Sequence, residues 1–298
     1  MRRRALVLGI ALSLCGCWGP APSSSREPSG SGGAPWPPEA SIQATQQALD
    51  QVEAPVAEKV TACAARDATA CWMLGMFYSN GMGVEQSSVE AERHFRLACD
   101  LESPEGCSSL ALIVDDLPGG SRAESLRLSI RACELGASIN CTLAAEALSA
   151  GAAGPSDPVR AVSYLKRGCE LQAASDACIG LSAAYRDGRG VPSDIRRAHE
   201  VLRGACDAEY PPACFNLAVY YQNGVGVPKS MSTAAGFYER ACRGNFGDAC
   251  AALAGMFAIG SGVPLDRRRA EALLAQSCKL GHSEGCSILE GVQASGWD

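Results

Sequence analysis

Lysine is scarce: the 298 residues hold 4 Lys against 22 Arg, and the formal net charge is -6. That balance excludes a nucleic-acid-binding domain, whose recognition rests on an excess of basic side chains. Aromatic residues make up only 6%, which leaves a core to be built from Ala, Leu and Cys and favours closely packed helices. Histidines number 3, too few for the Cys/His clusters that zinc prefers. His282, between Cys278 and Cys286, therefore reads as a turn residue, and no metal or cofactor is expected. Beyond Leu14 no apolar stretch approaches the eighteen residues of a membrane-spanning helix. Disorder and collagen are excluded by 47% apolar and 19% charged residues. What the chain has in excess is cysteine. Sixteen are more than a reduced cytosolic protein keeps as thiols, so they either bind metal or are oxidised.

Arg2, Arg3 and Arg4 precede an apolar run from Ala5 to Leu14, too short to cross a bilayer and typical of a bacterial export signal. The run closes with Leu14-Cys15-Gly16-Cys17, which resembles a lipobox. That resemblance implies cleavage after residue 16 and lipid on Cys17, which has Leu at -3 and Gly at -1. Trp18, where inner-membrane retention is associated with Asp, favours an outer-membrane lipoprotein facing the periplasm or the cell surface. Residues 17–40 are rich in Pro, Ser and Gly and read as a flexible tether, and residues 41–298 as the folded part. Fourteen cysteines then remain, an even number.

They fall at 63/71, 99/107, 133/141, 169/178, 206/214, 242/250 and 278/286, and the first members of successive pairs are 34 to 37 residues apart. A fixed period of this length marks a helical solenoid. After each second Cys, Leu tends to stand at +3, a small residue at +4, a bulky residue at +7 and Gly at +10, as in Cys214-Leu217-Ala218-Tyr221-Gly224. These offsets describe one helix face. The helix stops at Gly-x-Gly-Val, for example Gly224-Val225-Gly226-Val227, and a second amphipathic stretch such as Ala198-Leu202-Ala205 runs to the next Cys. Each unit is thus a first helix, a glycine loop and a second helix. Two loops depart from the pattern, at Asp115-Asp116-Leu117-Pro118-Gly119-Gly120 and at Gly151-Ala152-Ala153-Gly154-Pro155. Residues 41–62 read as a lone second helix capping the array, and Glu290, at a position held elsewhere by small residues, as its other end.

Residues eight apart in one helix lie about 12 Å apart, beyond the roughly 7 Å Cα limit of a disulfide. The chain must therefore turn between the members of a pair, as Asp100-Leu101-Glu102-Ser103-Pro104 and Tyr210-Pro211-Pro212 suggest. Local pairing, Cys63 with Cys71 through Cys278 with Cys286, leaves no orphan. The rival scheme, Cys71 with Cys99 and onward, strands Cys63 and Cys286.

The 36-residue unit closely resembles Sel1-like repeats, relatives of the tetratricopeptide repeat, and the Cys pair in every unit narrows this to the secreted cysteine-rich Hcp family. The resemblance implies an all-α fold, an α/α superhelix of about seven repeats stapled by disulfides, with the first helices lining the concave face. By register with tetratricopeptide units, offsets +2, +5 and +9 would point into the groove. Those offsets give Met73, Met76 and Asn80, then Asp187, then Asn216, Val219 and Asn223. Met side chains could bury apolar atoms while Asn amides pair with an extended peptide. The expected function is an envelope-anchored scaffold, a monomer that binds a protein, a peptide or a cell-wall fragment. The alternative is a β-lactamase, because some relatives of this type are assigned penicillin binding and weak β-lactam hydrolysis. Ser163-Tyr164-Leu165-Lys166 matches the S-x-x-K of serine β-lactamases, but neither S-D-N nor K-T-G occurs and both residues fall at outer positions of a second helix.

Overall fold

Small polar residues set where helices begin and glycines set where they end. The computed structural model describes residues 54–114 and 120–297. The lipobox and Cys17, the tether, residues 41–53 of the expected cap and loop residues 115–119 lie outside the described residues. Fourteen helices and no strand are found among those described. A lone helix, α1 (Ala54–Ala64), comes first. Six hairpins follow: α2 (Ala68–Asn80) with α3 (Ser88–Asp100), α4 (Pro104–Ile113) with α5 (Arg122–Glu134), α6 (Ser138–Ala150) with α7 (Pro158–Leu171), α8 (Asp176–Asp187) with α9 (Ile195–Asp207), α10 (Pro211–Asn223) with α11 (Met231–Arg243), and α12 (Gly247–Ile259) with α13 (Arg267–Lys279). The series closes on α14 (Ser283–Ser295).

Every second helix starts on a side-chain cap. Ser87, Ser121, Asp157, Asp194, Ser230 and Asp266 each accept a hydrogen bond from the backbone N–H three residues on. The first helices α2, α6, α8, α10 and α12 end on Gly81, Gly151, Gly188, Gly224 and Gly260, all left-handed. The second glycine of Gly-x-Gly has a different reason to exist. A Cβ on Gly190 would sit 2.1 Å from the Pro158 carbonyl oxygen, because the loop lies against the start of the preceding second helix. The backbone then returns, and the cap residue's N–H bonds the carbonyl at +7, as in Asp194 to Tyr185 at 2.8 Å. Asp157 makes the same bond to Leu148 at 2.9 Å, so the loop that departs from Gly-x-Gly-Val closes its hairpin in the same way.

Between hairpins the chain turns through seven disulfides, Cys63–Cys71, Cys99–Cys107, Cys133–Cys141, Cys169–Cys178, Cys206–Cys214, Cys242–Cys250 and Cys278–Cys286. Their Cα atoms are 4.4 to 4.8 Å apart. The pairing is local, as the spacing argument favours. A constraint not legible in the spacing is the conformation of the third residue after each first Cys. Arg66, Glu102, Gly136, Glu209, Asn245 and Gly281 all have positive φ, between 60° and 108°. Four are not glycine, and each of those left-handed residues costs roughly 1 kcal/mol or more. The corner from Cys169 to Cys178 holds one extra residue and takes no positive φ. Its additional bond rotations achieve the same reversal within ordinary conformations.

Each helix packs on its chain neighbours, so the core is a stack of local layers rather than one central mass. Leu at +3 and the small residue at +4 are buried in successive first helices, as Leu74/Gly75, Leu217/Ala218 and Leu253/Ala254. Gly75 is required: a Cβ there would lie 2.4 Å from the Phe95 ring. From Ala198 to Leu274 the buried apolar residues form one continuous cluster, whereas the earlier units divide into three.

One buried residue departs from the repeat. The position before each second Cys is Ala or Gly in the other six units, but Asn140 stands there on α6, fully buried, with neither its amide nitrogen nor its oxygen hydrogen-bonded. Burying an unpaired amide costs about 1 to 3 kcal/mol. Asn140→Ala should therefore raise the free energy of unfolding by about that amount under non-reducing conditions. Denaturant titration that showed a loss of stability would mean the amide is satisfied in solution.

Candidate binding surface on the first helices

On each first helix the residues at -2, +2, +5 and +9 from Cys lie on one side, opposite the buried +3 and +4 positions. First helices of neighbouring units touch one another directly at α2/α4, α6/α8, α8/α10 and α12/α14, which aligns these faces into a strip. The Trp72 indole N–H donates to the Ser109 hydroxyl at 3.1 Å, a tie from α2 to α4. Further on, the Tyr210 hydroxyl donates to Asp176, and His282 Nε2 lies 3.3 Å from Asp248. Both ties join a corner to the -2 position one unit earlier. His282, beside its disulfide, is thus a helix cap and a strut: its Nδ1 accepts from the Gly285 N–H at 2.9 Å.

Met73, Met76, Asn216 and Val219 are half-buried, while Asn80, Asp187 and Asn223 are exposed. Asp187 and Asn223 occupy equivalent places on adjacent first helices. Met73, Met76 and Asn80 lie on α2, with α4 and α6 between them and α8 in the order of first helices, so the seven residues belong to one strip but not to one cluster. The amides are less free than the sequence suggests. Asn80 and Asn216 each donate one amide hydrogen to the carbonyl four residues back, Met76 and Pro212, both at 2.8 Å. What each still offers outward is the carbonyl oxygen and one hydrogen. Asp187 is engaged too, held by Arg186 at 2.7 Å and Arg189 at 2.9 Å. The hydrogen bonds from Arg186 keep its carboxyl below the usual carboxylate range. Sequence reasoning passed over the most exposed apolar side chains of this strip. Leu112 at +5 and Ile139 at -2 are each 66% exposed, and Ile259 at +9 is 57% exposed. Their register was readable, but their exposure depends on how far neighbouring units overlap.

Ser163 and Lys166 stand on the exposed side of α7. The Ser163 hydroxyl donates to the Arg160 carbonyl at 2.7 Å, and the Lys166 ammonium lies 3.8 Å from Glu170. The ammonium faces this carboxylate rather than the serine oxygen.

The Sel1 repeat pattern matches residues 68–103, 141–172, 175–208, 211–246 and 247–282, more than half of the chain. This chain belongs to the Sel1 repeat family. The unmatched unit, 104–140, is the one with the departing loop at 115–120. Among solved structures, a protective antigen of uropathogenic Escherichia coli with an SLR fold is similar at 21% identity over 80% of this chain, with a TM-score of 0.66. A Sel1 repeat protein from Oxalobacter formigenes is similar at 22% over 76% of the chain, with a TM-score of 0.65. The present chain spans 51% of the first of these and 65% of the second. Cysteine-rich protein B of Helicobacter pylori is 28% identical over 45% of this chain and 96% of its own, with a TM-score of 0.39. No curated protein matches the chain.

At the N-terminal end of this Sel1 array, the His94 ring stacks on Tyr78 with centroids 5.4 Å apart and lies 3.9 Å from the Cys63 sulfur. Burial, aided by the Arg93 guanidinium, lowers the His94 pKa to about 4. Glu90 reaches only 4.0 Å and is itself partly solvated, so it does not offset the burial. The unfolded chain therefore binds this proton more readily than the folded one. Stability is complete above the unfolded value near 6.5 and falls as the pH drops toward 4, by about 3 kcal/mol in all. His94→Phe keeps a ring on Tyr78 and should flatten this part of the pH profile, as measured by denaturant titration at several pH values.

Proposed function

We propose that this Sel1 protein is an exported, lipid-anchored scaffold that binds a protein or an extended peptide along the strip formed by its first helices. The observation that carries the reading is the repetition of one outward face, unit after unit, with Leu112, Ile139 and Ile259 exposed on it. A strip of this kind suits a ligand that is itself extended, because each unit contributes one apolar or polar contact at a fixed interval. Seven disulfides agree with an oxidising compartment outside the cytosol. Among the described residues no helix is long and apolar enough to cross a membrane. Anchoring in the proposal therefore falls to the Cys17 lipid, with residues 17–40 as tether. A cell-wall fragment is the other ligand that the same strip is proposed to take.

The β-lactamase alternative rests on family resemblance and on Ser163 with Lys166. Nitrocefin turnover by the oxidised protein that disappears in Ser163→Ala would establish it in place of the scaffold reading.

For the scaffold, Asn216→Ala with Asn223→Ala should leave the helical spectrum and the disulfides unchanged. It should weaken a partner captured from envelope extract at least tenfold, about 1.4 kcal/mol. Unchanged affinity would move the binding face elsewhere. Cys17→Ser should release the protein from the membrane fraction, and continued sedimentation with membranes would refute anchoring at that residue.

A further inference from the structure

The second helices carry a device that is complete at three corners, whereas α3 and α9 have Leu97 and Gly204 in place of its side chain. Two residues before the first Cys of a bridge, a long polar side chain reaches back to the end of the preceding second helix. Arg167 on α7 donates to the Cys133 carbonyl at 3.1 Å and to the Glu134 carbonyl at 2.8 Å. Arg240 on α11 donates to the Cys206 carbonyl at 3.0 Å and lies 3.3 Å from the Asp207 carboxylate. On α13, Gln276 donates to the Cys242 carbonyl at 3.3 Å, and there the residue after Cys242 is Arg243. Where the side chain is present the rule is consistent: an acid after the Cys is matched by a guanidinium from the next second helix and a base by a neutral amide; after Cys63 stands the uncharged Ala64, with Leu97 in the reaching register. The physical reason is that a helix C-terminus concentrates unpaired carbonyls and partial negative charge, which a cation satisfies.

At α7 and α9 the rule fails on one side only. Glu170 follows Cys169, as the rule requires, but the residue that should reach back to it is Gly204. A Cβ on Gly204 would meet nothing within 4 Å. Between these two helices lies an open cleft of about 360 Å³, lined by Cys169, Glu170, Leu181, Tyr185, Glu200 and Val201 and by two cations, Lys166 and Arg197, the latter with its guanidinium 5.8 Å over the Tyr185 ring. Gly204 stands one turn beyond Glu200 and Val201 on the same side of α9. The corresponding cleft between α3 and α5, where Arg131 occupies the position, measures about 180 Å³. Lys166 is turned to Glu170 at 3.8 Å and Arg197 to Asp194 at 3.3 Å, while Glu200 makes no ion pair among the described residues.

We infer that this cleft is a slot for an arginine side chain supplied by a partner protein. The guanidinium would take the place that Arg167 and Arg240 fill within the chain, donating to the Cys169 carbonyl and the Glu170 carboxylate while its stem covers Leu181 and Val201. The inference rests on the reading of this chain as a protein-binding scaffold, but the slot lies on the second-helix side and is argued independently of the first-helix strip.

The test uses the full-length, oxidised protein in a non-ionic detergent, with N-acetyl-arginine methylamide as the probe and backbone amide resonances as the readout. Shifts are expected at Cys169, Glu170, Val201 and Gly204, saturating at probe concentrations on the order of 1 to 10 mM. The citrulline counterpart, of the same shape but uncharged, should bind at least tenfold more weakly. Gly204→Arg places the missing side chain in the slot from within and should abolish the response while leaving the rest of the spectrum in place. Glu170→Gln should weaken it at least threefold without altering the fold. Absence of shifts in the unaltered protein, equal binding of citrulline, or an undiminished response in Gly204→Arg would each overturn the assignment. Because the probe includes no partner, such a result would strike the slot alone, whereas loss or retention of a captured partner in the Asn216/Asn223 variant decides the first-helix strip.

Discussion

The corner between one hairpin and the next is the constraint on which this structure depends. At six of seven corners the chain reverses within eight residues, holding one residue in the left-handed region and closing a disulfide across the turn. Each closed loop removes freedom from the unfolded chain, worth roughly 2 to 3 kcal/mol before residual structure in that state is allowed for. Arg66, Glu102 and Glu209 show the opposing cost, since these side chains sit where glycine would be relaxed. Because the corner fixes the end of one helix and the start of the next within 5 Å, it also sets the stagger between hairpins. The outward register of every first helix follows from it.

A core composed of Leu, Ala, Gly and Cys is possible only because the helices approach closely. Gly75 against Phe95 and Gly106 against Ala98 mark contacts at which even one methyl group would collide. Close approach leaves little room for polar atoms, which is why Asn140 in an Ala or Gly position is costly. Lateral ties between units such as Trp72 to Ser109 and Arg240 to Asp207 accordingly lie at the edges of the layers, and the buried pair of Ser182 and Tyr220 hydroxyls, 3.4 Å apart, is an exception.

Repetition makes departures informative. A residue that differs from its counterparts in the same register can be compared with an internal standard folded in the same molecule. Gly204 stands out because Arg131, Arg167 and Arg240 occupy its register in other units, and the cleft beside it has about twice the volume of the one beside Arg131. Ser163, by contrast, sits at a register whose side chains face water, and its hydroxyl is spent on its own helix.

The sequence by itself determined the helical class, the period, the hairpin loops and the local pairing of cysteines. Spacing alone excludes a disulfide within one helix, and Gly-x-Gly-Val and the Ser or Asp caps are local signals that need no partner from elsewhere in the chain. The offsets +3 and +4 were likewise legible as buried, since a period of 3.6 leaves them no other side. The tertiary structure alone decided the left-handed residue three after each first Cys, because that conformation is imposed on whatever side chain stands there. It also decided that Asn80 and Asn216 turn an amide hydrogen back onto their own helices, that Leu112 and Ile139 are uncovered, and that open space surrounds the place of a Gly204 side chain. The uncovered Leu112 and Ile139 and the open space beside Gly204 depend on the distance between helices 30 or more residues apart in sequence, and no local pattern of residues encodes that distance.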